Sequence, residues 1–211
     1  MFVFGTYTTV IVSRLEFNRM TSETIISIFL GIGLAASVGF RVFLPLFALS
    51  LASYFNIWDL NESWQWIGSL AAVVTLGVAT IIEIFAYFIP WVDNILDSMA
   101  VPLAAIAGTA VMVSTVANLD PVVTWSLAII AGGGTATAIK GAGAASRLAS
   151  TATTGGLGNP IVSTVETGTA VVVTAASIFA PILAAILVIV ILAFVFWIYR
   201  KLRPRKRDSL K

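Results

Sequence analysis

Five charged side chains stand inside long apolar stretches of this chain, where each would have to bind something. They are Arg41, Glu83, Lys140, Arg147 and Glu166. At the centre of a bilayer such a charge costs about 2.5 to 3.5 kcal/mol on insertion scales, unless a partner or water compensates it. Basic side chains attract anionic groups, and a carboxylate can neutralise them or carry a proton. We therefore predict that these five residues bind a substrate or couple an ion.

Each of these charges also has a purely structural interpretation. Arg41 and Lys140 could extend toward lipid head groups from helix ends. Glu83 and Glu166 are each placed about two turns from a proline-marked boundary, so we expect Glu83 to lie close to Lys140 or Arg147. Four residues are secondary candidates: Asp93, Asp97, Ser146 and Thr151. Asp93 and Asp97 share one helix face, which could simply be solvated.

The composition identifies the class of protein. Hydrophobic residues make up 59% of the chain and charged residues 10%, and the mean hydropathy is +1.01, whereas globular proteins carry about 25% charged residues. The chain is therefore an integral membrane protein of helices. It contains no cysteine and no histidine, which excludes disulfides, thiolate and imidazole chemistry, and the usual zinc and haem ligands. We expect no cofactor and no metal.

Residues 131–160 form the least apolar part of the middle of the chain and hold half of its 16 glycines. Small residues allow close backbone approach, and non-helical backbone at membrane depth must be buried in protein or line a wet cavity. We predict that this stretch folds back between spans, with a short helix over 144–152 flanked by glycine-bearing turns. The alternative is a flexible loop at the membrane surface.

The apolar runs predict an all-α membrane protein with about six transmembrane helices and two short re-entrant or buried half-helices. The spans are expected at 22–38, 67–89, 98–117, 122–139, 161–179 and 182–199, and the half-helices at 42–54 and 144–152. Residues 1–20 are interpreted as an N-terminal lead that need not belong to the functional protein, with a helix cap at Thr21-Ser22-Glu23. A single membrane domain follows over 21–199, and 200–211 is a basic tail.

The basic tail sets the expected orientation. It holds seven of the 12 basic residues, so the positive-inside rule places both termini on the cytoplasmic side of the membrane. The halves 21–120 and 121–199 repeat one order of parts: a basic residue, a glutamate-bearing span and a span after a proline, Pro102 or Pro181. This order is compatible with an inverted repeat of the kind found in secondary transporters.

Two runs carry a resemblance to a known family, GFRVFLP from Gly39 to Pro45 and EIFAYFIPWVD from Glu83 to Asp93. They resemble an uncharacterised bacterial membrane family known only as domain of unknown function 4126, over roughly Thr21 to Arg200. The resemblance implies several helices and no particular activity. Where its members often carry a charged or polar pair before the Ile-Pro step, this chain has Tyr87 and Phe88. A shorter similarity links Ser146-Arg147 and Ser150-Thr151 to a loop of undecaprenyl-pyrophosphate phosphatases.

The function expected from these features is a small transporter, flippase or channel for an anionic solute or a phosphate-headed lipid. An intramembrane lipid-phosphate hydrolase is the alternative, with Ser146 or Thr151 as nucleophile and Arg147 as charge stabiliser. A membrane assembly subunit without chemistry is the third. The expected partners are the lipid bilayer and an anionic ligand or polyprenyl-phosphate-like lipid. A homo-oligomer is compatible with the sequence, and no nucleic-acid partner is expected.

Overall fold

The structure, a computed structural model, describes residues 3–117 and 119–202. For residues 3–20, 90, 91, 93, 94, 198, 199 and 202 it describes the backbone path alone. The described chain is all helical and contains no strand within these ranges. Its α-helices are α1 (Val3–Phe40), α2 (Phe43–Tyr54), α3 (Leu70–Ala86), α4 (Pro90–Thr115), α5 (Pro121–Leu127), α6 (Gly134–Thr154), α7 (Asn159–Phe179) and α8 (Pro181–Leu202). A 3-10 helix, Glu62–Gly68, precedes α3, and a π-helical segment, Ala128–Gly133, joins α5 to α6.

Helix α1 lies at the centre of the bundle and packs against α2, α4, α6, α7 and α8. Leu34, Ala35 and Val38 are fully buried there. Small residues let the neighbouring helices come close: a Cβ added at Gly39 would lie 2.8 Å from the carbonyl oxygen of Ala136. Close approach at glycine is the usual way membrane helices pack, since lipid supplies no hydrophobic force between them.

Four helical segments are long and apolar enough to cross a membrane: Thr21–Phe40, Ile95–Thr115, Pro121–Thr154 and Asn159–Phe179. A fifth results if the 3-10 helix and α3, which meet at 65°, count as one span. Helix α2 and the apolar part of α8 are shorter. Helices α3 and α8 also expose many large apolar side chains, which suit contact with lipid. These features identify a helical membrane protein.

The chain breaks at Arg41, as the sequence predicts. Helix α1 ends at Phe40 and α2 begins at Phe43. The predicted short helix is confirmed, because α2 contains 12 residues. The other boundaries marked by proline are also confirmed, since Pro90, Pro160 and Pro181 lie in the first turns of α4, α7 and α8. Proline is favoured there because its missing N–H would have no intrahelical acceptor.

Contacts between helix ends give the direction of each helix. The Ser27 hydroxyl near the start of the α1 span accepts the N–H of Ala117, just after α4. Beyond α2, Trp58 Nε1–H donates to the carbonyl oxygen of Ile178 in the last turn of α7, at 3.0 Å. The N–H of Asn61 donates to Ser114 in the last turn of α4, at 2.9 Å. We call this side of the bundle the tryptophan end, and the opposite side, where α1 breaks, the arginine end.

Helix α2 therefore returns from the arginine end to the tryptophan end, antiparallel to α1. Helix α7 reaches the tryptophan end, and α8 follows it directly, so α8 finishes at the arginine end, whereas Thr21 lies at the tryptophan end.

The glycine-rich stretch is the largest correction to the predicted fold. Residues 131–154 are helical throughout, as the end of the π-helical segment and all of α6, so the short re-entrant helix over 144–152 with a turn on each side is wrong. Only the later turn exists, where Gly155 ends α6 in the left-handed conformation with φ +64°. A neighbouring helix occupies the space that a side chain would need: a Cβ added at Gly132 would lie 2.5 Å from the Gly108 carbonyl oxygen of α4.

Two further expectations are corrected by the helix boundaries. Helix α1 runs through Thr21-Ser22-Glu23 without a break, so no helix starts there. Pro102 lies inside α4, whereas Pro181 begins α8. The second predicted half-helix is also absent from the described residues. The two halves therefore do not repeat the same order of helices, and the basis for predicting an inverted repeat is removed.

Labelling from either side of a membrane tests the helix directions. Single cysteines replacing Glu62 at the tryptophan end and Leu157 in the α6–α7 turn should react with a water-soluble maleimide from opposite faces, since both positions are exposed. The natural chain has no cysteine and gives no background. Reaction of both positions from the same face would contradict the arrangement.

Candidate functional site

The break after α1 places Arg41 inside the bundle at the arginine end. Its side chain is 0% exposed. Nε donates to Thr167 Oγ1 at 2.9 Å, and Nη2 donates to the Ser163 carbonyl oxygen at 2.9 Å and to the Ser163 hydroxyl at 2.5 Å. The third nitrogen, Nη1, finds no hydrogen-bond partner among the described residues. A buried guanidinium donor without an acceptor is costly, and such an atom calls for a functional explanation.

Glu83 holds the start of α2. Its Oε1 accepts the N–H of Val42 at 2.7 Å, and its Oε2 accepts the N–H of Phe43 at 2.9 Å. The first N–H groups of a helix have no intrahelical acceptor, and here they lie in the interior, away from water. A carboxylate satisfies two of them and also suits the positive end of the helix dipole. Glu83 therefore stabilises a helix that begins inside the protein.

Tyr87 lies at the centre of the site, one turn after Glu83. Its ring is 4% exposed. The guanidinium carbons of Arg41 and Arg147 lie 4.1 and 4.4 Å from the ring centroid, and Lys140 Nζ lies 5.5 Å away. Cations over an aromatic face are attracted by its quadrupole, by roughly 2 kcal/mol when the pair is shielded from water. The ring thus holds three positive side chains around one point.

Helix α6 supplies the other two basic groups. Lys140 Nζ donates to the carbonyl oxygen of Phe40, the last residue of α1, at 3.1 Å. Arg147 forms a short ion pair with Glu166 of α7 and lies 3.6 Å from Asp97 Oδ1 of α4. Lys140 uses one of its three donor hydrogens in a hydrogen bond within the described structure, so two remain for a ligand or water.

Gly143 leaves room for the Glu166 carboxylate. A Cβ built at this glycine would lie 2.5 Å from Glu166 Oε1, whereas a Cβ at Gly141 would meet nothing within 4 Å. Any side chain at position 143 must therefore displace the carboxylate that neutralises Arg147.

We call these side chains the charged cluster: Arg41, Glu83, Lys140, Arg147 and Glu166 around Tyr87. No residue of the cluster is more than 6% exposed. The three buried bases outnumber the two buried carboxylates by one, and Asp97, whose side chain is 24% exposed, lies at the rim. No group of three or more acidic side chains in the described part of the chain could hold a metal ion. The arrangement suits an anion better than a cation.

The structure thus brings the five primary candidates together with Asp97. Glu83 lies one turn from Tyr87, whose ring Lys140 and Arg147 approach, while the hydrogen bonds of its carboxylate go to the backbone of Val42 and Phe43. Ser146 and Thr151 lie on exposed parts of α6, where Ser146 donates to the Ala142 carbonyl oxygen. The side chain of Asp93 lies outside the described residues.

Three residues of the site were missed by sequence reasoning: Tyr87, Ser163 and Thr167. The signal for Tyr87 was its spacing of four from Glu83, which places both on one helix face. Ser163 and Thr167 share one face of α7 by the same rule, and Glu166 lies three residues after Ser163. Hydroxyls in membrane helices are common, however, so their spacing alone does not mark a site.

The family model described as Domain of unknown function (DUF4126) matches residues 28–201. The chain belongs to this family. The match includes every residue of the charged cluster in the DUF4126 domain, together with Asp97, Ser163 and Thr167. Comparison with curated proteins and with solved structures found no match.

Removing the charge of Glu83 tests its structural role in the DUF4126 domain. In Glu83→Gln the amide nitrogen faces a backbone N–H and cannot accept it, so one buried hydrogen bond is lost. We expect a loss of about 1 to 3 kcal/mol in the free energy of unfolding, seen as a lower melting temperature in detergent. Glu62→Gln, at an exposed position in the 3-10 helix, is the matched control. Equal melting temperatures for the two variants would contradict the assignment.

Proposed function

We propose that this DUF4126 protein binds an anion at the charged cluster and carries it across the membrane, as a transporter, flippase or channel. The observation that supports this most is Arg41, a fully buried guanidinium whose Nη1 has no hydrogen-bond partner among the described residues. Two further cations lie around the same tyrosine ring. An anion offers the acceptor oxygen that Arg41 Nη1 lacks, and further acceptors for the donor hydrogens of Lys140 Nζ that its bond to Phe40 leaves over.

The carboxylates balance part of the positive charge of the site. Glu166 neutralises Arg147, with Asp97 nearby. An arriving anion competes with Glu166 for Arg147, and a carboxylate released in this way can take up a proton or a cation. Binding and release can thus be coupled to movement of a second ion, as in many secondary transporters.

For the orientation we propose that the arginine end faces the cytoplasm of a bacterial inner membrane. The last turn of α8 carries Arg200 and Lys201 at that end, and cytoplasmic flanks of membrane helices are enriched in Lys and Arg. The charged cluster would then lie in the cytoplasmic half of the bilayer, and the tryptophan end would face outward.

The hydrolase alternative has less support than transport. Within the described residues, neither exposed hydroxyl candidate, Ser146 or Thr151, forms a hydrogen bond with a carboxylate that could act as its base: Ser146 bonds the Ala142 carbonyl oxygen, and Thr151 bonds the Asn159 amide. Within the described residues, the hydroxyls hydrogen-bonded to the charged cluster are those of Ser163 and Thr167, and both accept from Arg41.

The test is a flux assay in reconstituted vesicles, with inorganic phosphate as soluble anion and a fluorescent phosphatidic acid as anionic lipid. Phosphate release is measured on the same sample. We expect movement of an anion without phosphate release. Release of phosphate that requires Ser146 or Thr151 would replace the proposal by the hydrolase, and absence of any flux would refute it.

A further inference from the structure

A groove of about 360 Å³ runs between α2 and α7 on the outside of the bundle. Leu44, Phe47, Leu51 and Phe55 form one wall, and α7 forms the other from Val171 to Phe179. Its lining is almost wholly apolar. The wall from Leu44 to Phe55 covers 12 residues and so extends over about 17 Å, a little more than half of a hydrocarbon core about 30 Å thick.

One end of this groove lies near the charged cluster on both walls. On α2, Leu44 follows Val42 and Phe43, whose N–H groups bind Glu83. On α7, Val171 lies one turn after Thr167, which binds Arg41. An apolar groove on the outside of the bundle thus ends close to a group of buried cations, which matches a molecule with an anionic head and a hydrocarbon chain.

Access favours a lipid over a soluble anion. The basic side chains of the cluster are at most 3% exposed, so water does not reach them freely. The more exposed member of the site, Asp97, is negative and repels a soluble anion approaching along its side. A head group attached to a chain in the groove arrives instead from within the membrane.

We infer that the groove between α2 and α7 holds a hydrocarbon chain of a membrane lipid whose phosphate head group is bound by the charged cluster. This rests on the proposed function and names its substrate class. The groove selects for a chain, and Arg41, Lys140 and Arg147 select for the negative head group.

Lipid retention measured by native mass spectrometry tests the inference independently of transport. The purified protein is offered phosphatidic acid or phosphatidylcholine with identical chains. We expect at least tenfold greater retention of phosphatidic acid. Ala175→Trp, which fills the groove from an exposed position, should reduce this retention tenfold or more. Val172→Trp, on the same helix and also exposed but outside the lining, should leave it unchanged.

The outcomes separate the two proposals. Equal retention of both lipids, or unchanged retention in Ala175→Trp, would overturn the lipid inference, and flux of inorganic phosphate in the same protein would leave anion transport intact. Selective retention that Ala175→Trp abolishes, in a protein that moves neither lipid nor phosphate, would support the lipid site and remove the transport proposal.

Discussion

Arg41→Met should reduce the initial rate of anion flux in vesicles by roughly ten- to a hundredfold. Hydrogen bonds to charged groups contribute about 1.5 to 3 kcal/mol, and each 1.4 kcal/mol is a factor of about ten in affinity. Arg41 supplies the donor that has no partner in the described structure, so its loss removes the strongest expected contact with the ligand. The measurement is the rate per inserted protein at matched reconstitution.

Two companion variants make this result interpretable. Arg200→Met removes a positive charge from an exposed position in the last turn of α8 and should change the rate less than twofold. Arg41→Lys keeps the positive charge but lacks the planar guanidinium that donates to Ser163 and Thr167 at the same time. We expect this variant to fold and to show a reduced rate of flux. Flux in Arg41→Met and Arg41→Lys equal to that of the unmodified protein would show that Arg41 has only a structural role.

Gly143→Leu should abolish flux and lower the stability of the folded protein by about 3 to 5 kcal/mol, the usual cost of breaking a buried ion pair by removing one partner. A side chain here enters the space of Glu166 Oε1 and separates Glu166 from Arg147. The measurements are flux and the melting temperature in detergent. Gly143→Ala should show part of both effects, because its Cβ alone meets the carboxylate.

Gly141→Leu is the matched control, one half-turn away on α6. A Cβ at Gly141 meets nothing within 4 Å, and replacing a helical glycine usually gains about 0.5 to 1 kcal/mol. We expect normal flux and an unchanged or higher melting temperature. Similar behaviour of Gly141→Leu and Gly143→Leu would mean that α6 rejects large side chains generally, and that the contact with Glu166 is not decisive.

Local signals in the sequence predicted the membrane class, most helix boundaries and the five charged candidates. The break at Arg41 and the starts at Pro90, Pro160 and Pro181 follow from backbone chemistry that acts within one turn, whatever the rest of the chain does. The charges were recognisable because a charge in an apolar span needs a partner wherever it lies. These conclusions hold without knowing which helices are neighbours.

Only the tertiary structure decided which groups meet and which segments stay helical. Residues 131–154 look like a loop by composition, yet they are helical, and α4 packs closely where Gly132 and Gly133 lack side chains. Glu83 binds the start of α2 and leaves Arg147 to Glu166, because the antiparallel return of α2 brings its free N–H groups to the carboxylate. Tyr87 became recognisable as the centre of the site only when three helices placed cations around its ring. Partner choice depends on contacts between residues far apart in the chain, and local sequence patterns carry no information about such distances.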